Sequence, residues 1–197
     1  MLFAGGCRVV AGVDEVGRGA WAGPVSVGVA LVDRSGLEWL PEGLRDSKQL
    51  SARSRELMFP ALVACCLGYA VGHASAEECD ELGMTGAQRL AARRALESLE
   101  VVPDAVVVDG RYDFTGHPSA VALPRADERV RSVAAASVLA KVSRDRLLVE
   151  AASEHPGYGF ERNKGYPSPE HRHAVARLGM TPIHRRSWTF SSPPASG

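Results

Sequence analysis

Apolar and polar positions along the chain divide it into strands and helices before any single residue is considered. The segments CRVVAGVDEVGRG (7–19) and GPVSVGVALVD (23–33) are β-branched and apolar, with a glycine-rich interruption between them. They predict a strand, a tight bend and a second strand. Leu50 to about Phe59 has a helical pattern with Ser51 placed as N-cap, and Pro60 is expected to end or kink that helix. The following ALVACCLGYAVGHA (61–74) is apolar and β-like. Ser75 with Glu78 and Thr85 with Gln88 each fit the S/T-x-x-E/Q capping box, which predicts two helices separated at Gly83. Pro103 then breaks the chain before Ala105, Val106, Val107 and Val108, a short continuous apolar run suited to a strand covered on both faces and ending at Asp109-Gly110. The longest helix is predicted from Ser132 to about Ser153, with Ser137, Lys141, Arg144 and Asp145 forming one polar stripe along it. A loop over 156–169 leads to a last helix from about Pro169 to Leu178. Strands first, then strand alternating with helix, imply an α/β fold: a mixed central sheet flanked by helices, with a small C-terminal helical segment.

Composition narrows the class. A chain of 197 residues with 45% hydrophobic and 23% charged residues can bury one sizeable core, and one domain over 1–190 is expected, with a disordered tail, SSPPASG, at 191–197. No apolar run reaches the roughly 18 residues of a membrane span, and no signal segment is evident, so a soluble, cytoplasmic protein is expected. The four cysteines show no CxxC spacing and read as buried thiols in a reducing compartment rather than as disulfides or zinc ligands. Lys plus Arg and Asp plus Glu both number 23, which excludes a globally basic nucleic-acid wrapper. The neutrality divides unevenly, however. Residues 1–100 carry 10 basic and 13 acidic side chains, a net −3, and residues 101–197 carry a compensating +3. The basic excess is greatest from Glu161 onward, where six basic residues face two acidic ones.

The candidate chemistry lies in four acids. Asp14 and Glu15 follow an apolar strand, Asp109 ends another, and Asp127 precedes the long helix. Ends of neighbouring strands beside a helix entrance form a natural crevice in an α/β sheet. Clustered carboxylates repel one another unless a cation neutralises them, and an all-oxygen donor set suits Mg²⁺ or Mn²⁺ better than zinc. Such ions activate water and stabilise the leaving oxygen in phosphodiester hydrolysis. Adjacent residues on a regular strand point to opposite faces, so a bend or bulge near Gly17 and Gly19 is expected to bring Asp14 and Glu15 together. Gly17 to Ala22 also matches the GxGxx(G/A) dinucleotide fingerprint, but a β-branched strand follows where that motif needs a helix. His171, His173 and His184 show no zinc-ligand spacing and are read as structural hydrogen-bonding groups.

Six ordered segments then carry a resemblance: GVDEVGRGAWAGPV (12–25), DSKQLS (46–51), VVVDG (106–110), SVAAASVLAKVSRDR (132–146), GYGFERNKGYPSPEH (157–171) and PIHRRSW (182–188). Over nearly its whole length, from Gly12 to about Trp188, the chain resembles bacterial type 2 ribonuclease H, ribonuclease HII. That resemblance implies a ribonuclease H-like fold and metal-dependent cleavage, with Mg²⁺ or Mn²⁺, of the RNA strand of RNA/DNA hybrids and of single ribonucleotides embedded in duplex DNA. It carries the family's four acids onto Asp14, Glu15, Asp109 and Asp127, although Arg125-Ala126 stands where the family has Lys-Gly before the fourth. Asp145 is the rival fourth acid and is read instead as the partner of Lys141 or Arg144. By the same resemblance the backbone of Gly17, Arg18 and Gly19 recognises the ribose 2′-hydroxyl, and Tyr166 packs on the sugar that follows the ribonucleotide. Lys48, Asn163 and Lys164 are candidates for phosphate contacts, and Arg185 and Arg186 for facing the duplex. The implied enzyme acts as a monomer. A catalytically inactive hybrid-binding module is the competing reading, disfavoured because anionic groups beside phosphate bring nothing to a pure binder.

Overall fold

The computed structural model describes residues 2–187. The tail at 191–197, expected to be disordered, and Trp188 of the last segment lie outside the described residues.

Five strands form one sheet in the order β3-β2-β1-β4-β5. Strands β1 (Val10–Val16), β2 (Val25–Val32) and β3 (Gly68–Ala74) make an antiparallel meander, whereas β4 (Ala105–Asp109) and β5 (Ala120–Leu123) run parallel to β1. The sheet is therefore mixed, as the alternation of elements predicts. Every residue of β2 is buried, because helices cover both its faces.

On one face lies α3 (Ala76–Glu97), whose Ala87, Ala91, Ala92 and Ala95 pack against Val13, Val27 and Val29. On the other lies α4 (Arg131–Glu154), whose Ala135, Ala136, Val138 and Leu139 pack with Ala30 and Val32 and with Leu62 of α2 (Ala52–Cys65). Small residues let these helices approach closely. A Cβ added to Gly12 of β1 would stand 2.1 Å from the Ser132 carbonyl carbon at the start of α4, so α4 rests directly on the strand that carries Asp14 and Glu15. A separate cluster of Ala22, Leu148, Tyr158, Phe160 and Ala174 ties the C-terminal helix α6 (Pro169–Leu178) to α4 and to the segment after β1.

Several boundaries follow the local rules. Ser51 caps α2 by accepting from the Ser54 N–H, and both bonds of the Ser75–Glu78 capping box are formed. Gly83, with φ +65° and ψ 168°, breaks the helical geometry and kinks α3 where the two predicted helices divide. The second box does not form as expected: the Gln88 amide oxygen accepts from Arg18 instead.

Other expectations need correction. Helix α2 runs through Pro60 to Cys65, so 61–65 is helical and the strand starts only at Gly68. The proline is exposed, and burial of Leu62 with Met58, Phe59 and Val63 around it holds the next turn in place; tertiary packing outweighs the lost backbone bond. The short helices α1 (Arg34–Trp39) and α5 (Phe160–Asn163) and the edge strand β5 have patterns too brief to signal themselves. Of the four free cysteines only Cys79 is fully buried; Cys7, Cys65 and Cys66 are partly exposed.

Close packing at Gly12 gives a direct test of this architecture. Gly12→Ala is expected to destabilise the fold by roughly 1–3 kcal/mol, the usual cost of overpacking a core, measured as a lower urea midpoint with unchanged slope.

Candidate active site

Asp14 and Glu15 are the fifth and sixth residues of β1, and no bulge brings them together. Pairing with β2 stays regular from Val10 through Val16, with Asp14 opposite Gly28 and Glu15 opposite Val27. The two acids keep to opposite faces, Asp14 on the α4 side with Gly12 and Glu15 on the α3 side, and they meet because the strand stops immediately afterwards. Gly17 makes the turn. Its φ is +89°, and a Cβ there would stand 2.3 Å from Arg144 Nε and 2.8 Å from the Pro24 carbonyl oxygen, so only glycine fits. The parallel register pairs Val13 with Val108, and its next step sets Asp109 beside Asp14.

Asp109 accepts from the Ala126 N–H at 2.7 Å. That bond fixes the short 3₁₀ turn Ala126–Glu128, entered through Arg125 in the left-handed conformation (φ 56°), and the turn delivers Asp127 to the same end of the sheet. Two unlike elements thus converge through one carboxylate.

The electrostatics record the crowding. Burial, followed by the repulsion of Glu15 and Asp109, holds the Asp14 carboxyl well above its ordinary range, despite the Ser137 hydroxyl and Lys48 acting the other way. Glu15 is raised by burial and Asp109 while Arg18 draws it down. Asp127 is raised by burial, Asp109 and Asp46. One ammonium answers all of these. Lys48 lies on a 3₁₀ turn capped by Asp46, and its Nζ stands 3.7 Å from both Asp46 Oδ1 and Asp127 Oδ2. Although desolvation opposes it, the attraction of Asp14, Asp46, Asp127 and Glu15 raises the lysine pKa. Asp46, only 7% exposed, was not singled out in the sequence; its signal is the Asp-Ser-Lys order, in which the aspartate caps the turn and faces the lysine two residues on.

The polar stripe on α4 faces inward rather than to solvent. Ser137 Oγ bonds Ser47 Oγ at 2.9 Å, linking α4 to the Lys48 turn. Lys141 pairs with Asp145 at 2.7 Å, which keeps Asp145 away from the four acids. Arg144 is fully buried, and each of its nitrogens donates to a main-chain carbonyl: Nε to Pro24 at 2.8 Å, Nη1 to Lys164 at 2.9 Å and Nη2 to Ala22 at 3.1 Å.

These elements enclose a cavity of about 420 Å³ bounded by Glu15, Gly17, Arg18, Gly19, Lys48, Lys141 and Tyr166. The Tyr166 ring lies 5.4 Å from both Lys141 Nζ and the Arg144 guanidinium carbon, a cationic setting that holds it at the cavity wall. The structure does not bring Asn163 and Lys164 to the same wall. The Asn163 amide donates to the Tyr158 carbonyl and accepts from the Gly165 N–H, and the Lys164 ammonium bonds the Glu161 carbonyl. Both shape the loop that presents Tyr166. The expectation that Arg185 faces the duplex is corrected: it is fully buried, because its guanidinium donates to the carbonyls of Gly23 and Arg18. Arg186 is exposed, with its N–H on Asp80. His171 and His184 are buried and bonded to each other Nε2 to Nε2 at 3.0 Å, and their Nδ1 atoms meet the Tyr166 carbonyl and Thr181. Their role is structural, as read from the sequence; His173 is exposed.

Among the described residues no three His, Cys, Asp or Glu side chains are arranged to hold a metal ion as they stand. The donor chemistry nonetheless fits a hard divalent cation: only oxygens are offered, three of the acids are held above their ordinary pKa, and a lysine ammonium lies among them.

A mixed sheet covered by helices on both faces, with carboxylates gathered at the ends of its central strands, defines a ribonuclease H-like nuclease. The ribonuclease HII family model matches residues 11–191. Ribonuclease HII of Streptomyces avermitilis is 53% identical over 186 residues, covering 94% of this chain and 78% of that protein, and the Paracoccus denitrificans enzyme is 48% identical, covering 93% and 86%. The crystal structure of ribonuclease H2 from Pyrococcus horikoshii superimposes with a TM-score of 0.77 at 33% identity, covering 92% of this chain and 94% of that one. The chain belongs to the ribonuclease HII family.

The raised acids make a prediction about stability. A carboxyl with a folded pKa above its unfolded value binds more protons when folded, so the folded state is penalised at pH above the folded pKa and the penalty fades as pH falls below the unfolded one. In metal-free buffer at pH 7, Asp14→Asn is expected to raise the thermal midpoint by about 2–4 °C, the response of a chain this size to roughly 1 kcal/mol. The gain should vanish below the ordinary carboxylate range, which calorimetry across pH will read.

Proposed function

We propose that this protein is a metal-dependent endoribonuclease that hydrolyses the RNA strand of RNA/DNA hybrids and cuts on the 5′ side of ribonucleotides embedded in duplex DNA, leaving 3′-hydroxyl and 5′-phosphate ends. The observation that carries the reading is the convergence of Asp14, Glu15, Asp109 and Asp127 at one end of the sheet, beside a cavity with glycine backbone on one wall and a tyrosine ring on another. Mg²⁺ or Mn²⁺ held by those four acids would supply activated water and neutralise charge on the leaving oxygen.

The remaining work falls to the chain itself. Lys48 lies between the acids and the cavity, where its ammonium can bind a phosphate oxygen as a flexible point charge. The backbone at Gly17, Arg18 and Gly19 has no bulky side chain at either glycine to hold a sugar away, so its main-chain groups can reach a 2′-hydroxyl. Tyr166 offers a flat face for the next sugar, where a deoxyribose without a 2′-hydroxyl packs more closely. The basic C-terminal segment adds sequence-independent attraction for the duplex.

The decisive assay is a DNA duplex containing one ribonucleotide, incubated with Mg²⁺ or Mn²⁺. Wild type is expected to cut once, 5′ to the ribonucleotide, and Asp14→Asn and Asp109→Asn to lose at least a hundredfold in rate; wild-type rates in either variant, or an intact substrate, would refute the assignment. Binding without cleavage by wild type would favour the inactive-module reading.

Tyr166→Ala is expected to reduce cleavage at RNA-to-DNA junctions about tenfold or more with a smaller loss of duplex affinity. Unchanged junction cleavage would remove Tyr166 from the site.

A further inference from the structure

Arg185 lies well outside the four acids, yet its guanidinium reaches the loop that follows β1. It is fully buried; Nη1 donates to the Arg18 carbonyl at 3.1 Å and Nε to the Gly23 carbonyl at 3.1 Å. Its own backbone is pinned, with N–H bonded to the Trp21 carbonyl at 2.9 Å and the preceding His184 bridged to Ala22. The guanidinium is therefore a fixed point, and the Arg18 carbonyl is drawn toward it.

A peptide group is planar and trans, so its C=O and its N–H point in opposite directions. Holding the Arg18 carbonyl toward the interior turns the Gly19 N–H outward. Gly19 is exposed, a Cβ there would meet nothing within 4 Å, and it forms part of the wall of the cavity containing Glu15, Lys48 and Tyr166. Among the described residues no acceptor takes its N–H. We propose that Arg185 is a positioning residue for ribose selection: by fixing the Arg18–Gly19 peptide from behind, it aims the Gly19 N–H at the 2′-oxygen of the nucleotide in the cavity. This rests on the reading of the glycine loop as the ribose-recognising element. It gives a buried arginine at the far end of the sequence a part in telling RNA from DNA, and it explains why a guanidinium is used. Two carbonyls, at Arg18 and Gly23, are held by one rigid fork, which a lysine ammonium cannot reproduce.

The test compares wild type with Arg185→Lys and Arg185→Met, each checked for folding by circular dichroism. Affinities are measured in Ca²⁺ for two duplexes of one sequence, all-DNA and with a single ribonucleotide, and kcat and KM are measured in Mg²⁺ for the latter. Wild type is expected to prefer the ribonucleotide duplex. Folded variants should lose most of that preference, keep their all-DNA affinity within about twofold, and lose at least tenfold in kcat with a smaller change in KM, with Lys less impaired than Met. A purely structural role would instead lower both affinities together with the melting temperature, which overturns the proposal. A folded variant that retains the preference also overturns it. If wild type itself shows no preference, the ribose reading of the loop fails, whatever the variants do. Should neither variant fold, ¹⁵N relaxation of the wild-type Gly19 amide decides. An order parameter near 0.85, like that of β1, is expected for a peptide held by Arg185, and a value below about 0.6 overturns the proposal.

Discussion

The buried guanidinium of Arg144 is the constraint on which the site depends. Its three nitrogens take the carbonyls of Pro24, Ala22 and Lys164, so one side chain on α4 fixes the segment leaving the β1 turn and the loop that carries Tyr166. Burial alone holds its pKa down, and a charge in such a place is tolerated only where every donor is satisfied. Carbonyls meet that need without the flexibility of a carboxylate side chain. Arg185 holds two further carbonyls, those of Arg18 and Gly23, from the C-terminal segment, where burial pushes its pKa down to about 10. The glycine-loop wall of the cavity is main chain held from behind by charge, which leaves its front surface free for a substrate.

Opposed to this clamp is a site that resists its own assembly. Asp14, Glu15 and Asp127 are all raised by burial and by neighbouring carboxylates, and Lys48 is the cation that draws all three down. The scaffold around them is correspondingly stiff: β1 lies in the middle of the sheet, α4 touches it directly at Gly12, and Asp109 is tied to the Asp127 turn by a backbone bond. Stability supplied by close-packed glycine and alanine contacts is given up in part to hold carboxylates together. That is the usual relation between a functional site and its fold.

Much of this was legible in the sequence where the signal is local. Ser75 with Glu78 and Ser51 marked helix starts because capping is decided within four residues, and the β-branched runs of β1, β2 and β4 matched a buried sheet. Pro60 misled because its local cost is outweighed by the burial of Leu62 two residues on, which is a tertiary fact. The expected bulge at Asp14 and Glu15 is absent for a similar reason: the pair needed only the end of a strand and a parallel neighbour, and parallel pairing between residues nearly a hundred positions apart leaves no local trace.

By itself the sequence determined the α/β class and the family, and it singled out the four acids and the glycine turn, because each is written in short segments with their own chemistry. Tertiary structure alone decided which cations serve which partners. Arg185, read as a surface residue, is buried because its carbonyl acceptors at Arg18 and Gly23 lie more than 160 positions away. Asn163 and Lys164 turned to their own loop, and Asp46 joined the acids, for the same reason. Charge and residue type are local properties, but burial and the direction in which a hydrogen bond points depend on what the folded chain places opposite them.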